Sequence, residues 1–391
     1  MNADVDKAGP PLPRANPLLI GQAAAEARLL EAFRSGRLPH AWLISGPRGV
    51  GKATLAYRFA RYVLGQGPGG HGLDGQALDD QALDDQALDD QALGGQGLFG
   101  ADPPGPAEGL AMPEDSAAFR LIASASHPDL RVLDRGQDES GKPQQSISVE
   151  KVRSALGFVH LTPALGGWRL ILVDAADDLN RNAANALLKA LEEPPRNTLL
   201  LLLAHAPGRL LPTIRSRCCH LVLPPLPTDE VTRLLARYAP ELSAQEAAGL
   251  AHLAEGSVGR ALDLASEGGL GLYAELVTLL SGLPGIDFAK LQALAERLGR
   301  DRSGAAFRTA SDLLLWWLAR LARAAALNAP PEEIVAGEGA LISRLLAQGN
   351  LAQAASLWEK LHRLFGRAEA VNLDRRQVFM AAFQELEALS A

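Results

Sequence analysis

Cysteine is scarce in this sequence: two among 391 residues, and those two, Cys218 and Cys219, are adjacent. Neighbouring cysteines do not readily close a useful disulfide, and no Cys-x-x-Cys pair is available to hold a metal. The chain therefore reads as a protein of a reducing compartment, with no zinc expected. Long apolar runs are lacking as well. The longest candidate, Leu199–Leu203, is far short of the ~18–20 residues that cross a bilayer. The opening stretch MNADVDKAGPPLPRANP has neither the basic start nor the apolar core of a secretion signal, so a cytoplasmic location without membrane contact is expected. Excess positive charge is also missing. With 38 Lys and Arg against 45 Asp and Glu, the formal charge is −7, which argues against gripping nucleic acid mainly through the chain's own basic surface. Any such contact should be local or shared with partners.

What is present is an ordinary globular composition, 47% hydrophobic and 21% charged, on a chain long enough for more than one core. Residues 1–17 read as a flexible tail. From Pro17 to about Pro224, short apolar runs alternate with helical stretches, the pattern of a parallel α/β sheet. Ala41 to Ser45, Arg169 to Asp174 and Thr198 to Ala204 are expected strands, and a helix is expected from Lys52 to about Leu64. A low-complexity insert interrupts this region at about 65–115. Its core, Gln-Ala-Leu-Asp-Asp, repeats from Gln76, Gln81 and Gln86, with a degenerate copy from Gln91. A five-residue period fits neither a helical stripe nor a strand, so an acidic disordered loop is predicted. After Pro224-Pro225 the strands stop. Residues 225–265 read as a small helical unit and 266–391 as a second all-helical one, with Leu313 to Leu318 in a core helix.

Gly46-Pro-Arg-Gly49-Val-Gly51-Lys52-Ala53-Thr54 leaves an expected strand and opens an expected helix. Glycines in that context let backbone N–H groups turn towards phosphate, while the lysine reaches the terminal phosphates. One position departs from the pattern. The residue after the lysine should carry a hydroxyl to ligate Mg²⁺, and here it is Ala53; Thr54 lies about 100° further round the helix. The strand ending at Asp174 departs in the same way. Where ATP-hydrolysing proteins follow the aspartate with a glutamate that polarises water, this chain has Ala175. Asp177 and Asp178 read as caps near a helix start. Gly46, Gly49, Gly51, Lys52, Thr54 and Asp174 thus outline a degenerate nucleotide site, one that could hold ATP or ADP without functional Mg²⁺ catalysis.

The stretch from Trp168 to Cys218 resembles the clamp-loader branch of the AAA+ ATPases, most specifically in Asn185-Ala-Leu-Leu-Lys-Ala-Leu-Glu-Glu-Pro-Pro195 and Ser216-Arg217-Cys218. His127-Pro128-Asp129 is similar to the delta-prime chains of that branch. The resemblance spans about residues 17–265. It implies an AAA+ P-loop domain over 18–224, a helical lid over 225–265 and a helical collar over 266–391. It also implies assembly with gamma/tau and delta subunits to load a sliding clamp on primer-template DNA. Ala53 and Ala175 favour the non-hydrolysing, delta-prime-like role. The four-cysteine zinc module of many relatives is not expected here, because no cysteine occurs near the insert. Arg217 matches the arginine that reaches a neighbour's ATP, and the plainer reading makes Arg215 and Arg217 surface or salt-bridging arginines. Arg260 is either a sensor arginine or part of a glycine turn at a helix start. His205 falls near the family's polar sensor. Cys218 reads as a small buried hydrophobe. Lys189, Glu192 and Glu193 are read as solvated or interfacial. The rivals are an active gamma-like ATPase and a stand-alone P-loop kinase or nucleotide switch. The last leaves the Asn185–Pro195 and Ser216–Cys218 segments without an explanation.

Overall fold

The computed structural model of the chain describes residues 9–66, 109–136, 144–165, 167–347 and 351–387. The Gln-Ala-Leu-Asp-Asp repeats lie outside the described residues. Two compact units are distinguished, Met1–Pro225 and Leu226–Ala391.

The first unit runs α1 (Ala23–Arg34), β1 (Ala41–Ser45), α2 (Lys52–Gly65), α3 (Ala117–Ala123), β2 (Leu130–Leu133), α4 (Val149–Val159), β3 (Arg169–Asp174), α5 (Arg181–Glu192), β4 (Thr198–Ala204), α6 (Pro212–Arg215) and β5 (Cys219–Val222). The strands form one five-stranded sheet in the order β2-β3-β4-β1-β5, with every pair parallel. Successive side chains on a strand face opposite ways. Trp42, Ile44, Leu170, Leu172, Leu199, Leu201 and Leu203 therefore share one core with α1 and α2. Leu43, Ile171, Val173, Leu200 and Leu202 share the other with α4 and α5. Burial on both faces explains why the inner strands read as unbroken apolar runs.

Two expectations change. Residues 13–17, expected in a flexible tail, are fastened to α2. Arg61, only 2% exposed, donates to the carbonyls of Arg14 at 2.9 Å and Asn16 at 2.7 Å. Arg58 donates to the Pro17 carbonyl and pairs with Glu26 at 2.6 Å. Buried guanidinium groups need acceptors, and this strap supplies them. The insert also ends earlier than about residue 115: Leu110 is 1% exposed in the first core, and Ser116 caps α3 by accepting from the Phe119 N–H.

The second unit is helical throughout its described residues: α7 (Thr228–Tyr238), α8 (Ala244–Leu253), α9 (Val258–Ser266), α10 (Gly269–Ser281), α11 (Phe288–Arg300), α12 (Ala305–Leu327), α13 (Glu338–Ala347), α14 (Leu351–Ala370) and α15 (Arg375–Glu387). α10 packs on α8 and α9 as well as on α12 and α13, so residues either side of 265 belong to one body. Trp316 and Trp317 are core residues of α12, 7% and 1% exposed. Among the described residues no helix is long and apolar enough to cross a membrane.

A buried charge ties this unit together. Glu338, fully enclosed, accepts from the Tyr273 hydroxyl at 2.6 Å and the Ile334 N–H at 2.9 Å, and pairs with Arg320 at 3.0 Å. Removing one partner of such a pair leaves the other charge buried and uncompensated. Glu338→Ala should therefore cost about 3–5 kcal/mol in urea unfolding, and a loss below about 1 kcal/mol would show that the pair is dispensable.

Candidate functional site

The C-terminal ends of β3, β4 and β1 lie side by side, with Asp174 opposite Leu203 and Ala204 opposite Ser45. The glycine loop leaves β1 here, and its first N–H, on Gly46, donates to the Ala204 carbonyl at 3.3 Å. A Cβ on Gly46 would lie 2.4 Å from the Leu223 carbonyl oxygen, so only glycine lets the loop pass this close to the end of β5. Gly49 and Gly51 have φ of 78° and 100°, the left-handed values that curl the loop before α2 begins at Lys52.

Lys52 is 4% exposed. Its Nζ donates to the carbonyls of Gly46 and Pro47, both at 2.7 Å, so the loop satisfies its own lysine. Burial pushes the ammonium down from 10.5 to about 8, against the pull of the Asp174 and Asp177 carboxylates. Asp174 responds in the opposite direction: burial raises its carboxyl, while Lys52 opposes the rise.

Two neighbouring positions carry only methyl groups. Ala53 is half-buried and packs against the first core, and Ala175 is 6% exposed. Neither offers an oxygen. Thr54 is buried within α2. Among the described residues no group of three or more His, Cys, Asp or Glu side chains could hold a metal ion. The loop and Lys52 have the make-up of a phosphate cradle, and the side chains at 53 and 175 beside it carry no oxygen.

Asp177 and Asp178 are not caps of a neighbouring helix. Asp177 accepts from the backbone N–H groups of His205 at 3.2 Å and Ala206 at 3.0 Å, fixing the turn that follows β4. Asp178 pairs with Arg135 at 3.1 Å. His205 is thereby held at the strand end. Partial desolvation and the nearby Lys52 ammonium keep its imidazole below the ordinary value.

Arg217 follows the short helix α6 and is exposed. Its Nη1 donates to the Thr213 carbonyl at 3.0 Å, and its Nη2 lies 2.8 Å from Glu192 Oε1 at the end of α5. The salt-bridging role considered for this arginine is thus present, with Glu192 as partner. Nothing local in the sequence announces that pairing, because the residues stand on separate elements and meet only when α5 and α6 pack. Cys218 is half-buried beside the second core, and burial pushes its thiol up to about 12, so a thiolate nucleophile is not available there. Arg260 belongs to the second unit. Its backbone N–H is capped by the Ser257 hydroxyl, and its side chain lies 4.0 Å from Glu255.

The His127-Pro128-Asp129 segment has a structural task. Asp129, 2% exposed, accepts from the N–H groups of Ala164 at 2.7 Å and Leu165 at 2.9 Å, which ties the loop after α4 to the start of β2.

Residues 107–227 match the family model described as DNA polymerase III, delta subunit. The chain is 36% identical over 218 residues to a DNA polymerase III subunit delta' of Pseudomonas aeruginosa, covering 56% of this chain and 53% of that one. It is 32% identical over 239 residues to the Escherichia coli subunit delta', covering 61% of this chain and 58% of that one. A subunit tau/gamma of Haemophilus influenzae is 28% identical over 218 residues, 56% of this chain and 25% of that relative. The matches thus span a little over half the length of the two delta' relatives.

The buried lysine has a signature in pH. Its folded value of about 8 lies below the ordinary 10.5, so between those limits the unfolded chain binds more protons and stability rises with pH. Below about pH 8 both states are charged and the desolvation cost is fully present. Relative to Lys52→Met, the natural chain should gain roughly 1–3 kcal/mol between about pH 7 and pH 10.5. Denaturant unfolding of both chains at the two pH values measures it. A constant difference would mean that the ammonium is not desolvated.

Proposed function

We propose that the chain, which is similar to DNA polymerase III delta-prime subunits over a little more than half their length, is a non-hydrolysing clamp-loader subunit. It works in the cytoplasm, assembled with gamma/tau and delta subunits to open a sliding clamp and close it on primer-template DNA. Its contribution to ATP hydrolysis is made in a neighbour's site, through Arg217.

The observation that carries this reading is the contrast around one sheet edge. The phosphate loop keeps its glycines and Lys52, yet the two positions that would supply a metal-ligating hydroxyl and a water-polarising acid are Ala53 and Ala175, methyl groups packed against protein. A phosphate in the cradle would compete with the Gly46 and Pro47 carbonyls for the lysine, and with no hydroxyl at 53 and no acid at 175 a bound ATP or ADP would be held without being turned over. Arg217, by contrast, is exposed. A guanidinium is charged at every relevant pH and presents planar donors to a phosphoryl group. Such a finger given in trans stabilises the transition-state charge and is worth roughly 10³–10⁵ in rate in other systems. Arg260 fits a structural role beside Glu255 equally well, and the mechanism needs nothing from it.

The purified chain alone should therefore hydrolyse ATP no faster than its Lys52→Ala variant; measurable turnover that Lys52→Ala abolishes would instead establish a gamma-like motor. In the reconstituted loader, Arg217→Ala should slow the burst of hydrolysis at the adjoining site by about tenfold or more while leaving assembly intact. Unchanged clamp- and DNA-stimulated turnover in an intact complex would remove the arginine from the mechanism.

A further inference from the structure

We propose that Glu192 is the positioning residue for Arg217, an inference that rests on Arg217 acting in a neighbour's ATP site. An exposed arginine explores many rotamers, and each one must be given up when its head group is fixed against a phosphate. Here two acceptors remove much of that freedom in advance. The Thr213 carbonyl takes one hydrogen of Nη1, and the Glu192 carboxylate stands 2.8 Å from Nη2 as an ion-pair partner. A guanidinium has five N–H donors, and with one of them given to the Thr213 carbonyl the others stay available to an outside acceptor. The head group is held along one side and remains competent on the other.

The two anchors come from different sources. Thr213 lies in α6, four residues before the arginine, and sets only the local turn. Glu192 stands at the C-terminal end of α5, whose buried Ala183, Ala184, Leu187, Ala190 and Leu191 seat it in the second core. It therefore references the guanidinium to the body of the α/β unit rather than to the short helix that carries it. Its side chain is 49% exposed and that of Arg217 is 36% exposed, so the pair is weak enough to tilt when a phosphate arrives. Preorganisation of this kind acts on the chemical step and leaves the neighbour's affinity for ATP alone.

The test compares reconstituted loaders carrying Arg217→Ala, Glu192→Ala, Glu192→Gln and the Glu192→Ala/Arg217→Ala double substitution, followed by the burst of ATP hydrolysis with clamp and primed DNA. Glu192→Ala should slow by about three- to tenfold the same burst phase that Arg217→Ala slows more strongly, with the KM for ATP unchanged. Glu192→Gln, which keeps an acceptor oxygen at the same place, should restore most of that rate. The double substitution should behave as Arg217→Ala alone, because a residue that acts through the arginine has nothing to position once it is gone. A Glu192→Ala phase as fast as the natural one, or faster, would overturn the proposal while leaving the role of Arg217 standing. So would an additive loss in the double substitution, which would mark a separate structural effect. Full turnover in Arg217→Ala would remove the arginine and its positioning residue together.

Discussion

Strands buried on both faces leave no room for chemistry along their length, and this constraint decides where the first unit can act. Every apolar residue of β1, β3 and β4 is committed to one of two cores. A ligand can meet only what lies just beyond the carboxyl ends, which is where open parallel sheets bind their ligands. Because β4 sits between β3 and β1, those ends bring Asp174, His205 and the loop from Gly46 to Lys52 to one edge. The close pass of Gly46 by the Leu223 carbonyl then fixes the direction in which the loop can leave.

At that edge the electrostatics are self-contained. A lysine this deeply placed must have acceptors, and the loop's own carbonyls provide them. Asp174 and Asp177 add negative potential, but Asp177 is already committed to the backbone after β4. The alanines at 53 and 175 complete the logic. Had either been a polar side chain in its present surroundings, it would need a partner of its own, and methyl groups need none.

Much of this was legible beforehand, and the reasons differ by element. β1, β3 and β4 announce themselves as apolar runs because they are interior strands, and their ends were read as they stand. The edge strands β2 (Leu-Arg-Val-Leu) and β5 (Cys-His-Leu-Val) are four residues each and partly exposed, too short and mixed to stand out from loop. The strap at 13–17 has the composition of a tail because its hold comes from Arg58 and Arg61, more than 40 residues further along the chain. Asp177 and Glu192 escaped for a related reason. Their partners, at 205–206 and 217, are reached only through tertiary packing, and a pattern along the chain carries no record of that.

Burial also explains why two Arg–Glu pairs in one chain suit opposite tasks. The Arg320 and Glu338 side chains, 13% and 0% exposed, lie where water cannot replace a lost partner, so that pair holds one arrangement of helices and resists exchange. The Arg217–Glu192 pair is a third to a half exposed, and water stands ready for either group. Its worth is on the order of 1 kcal/mol or less, too little to specify a fold but enough to bias a rotamer. An arginine that must leave one acceptor for another needs that intermediate strength: free of any partner it would have to be ordered anew at each encounter, and locked as Arg320 is locked it could not turn to a phosphate at all.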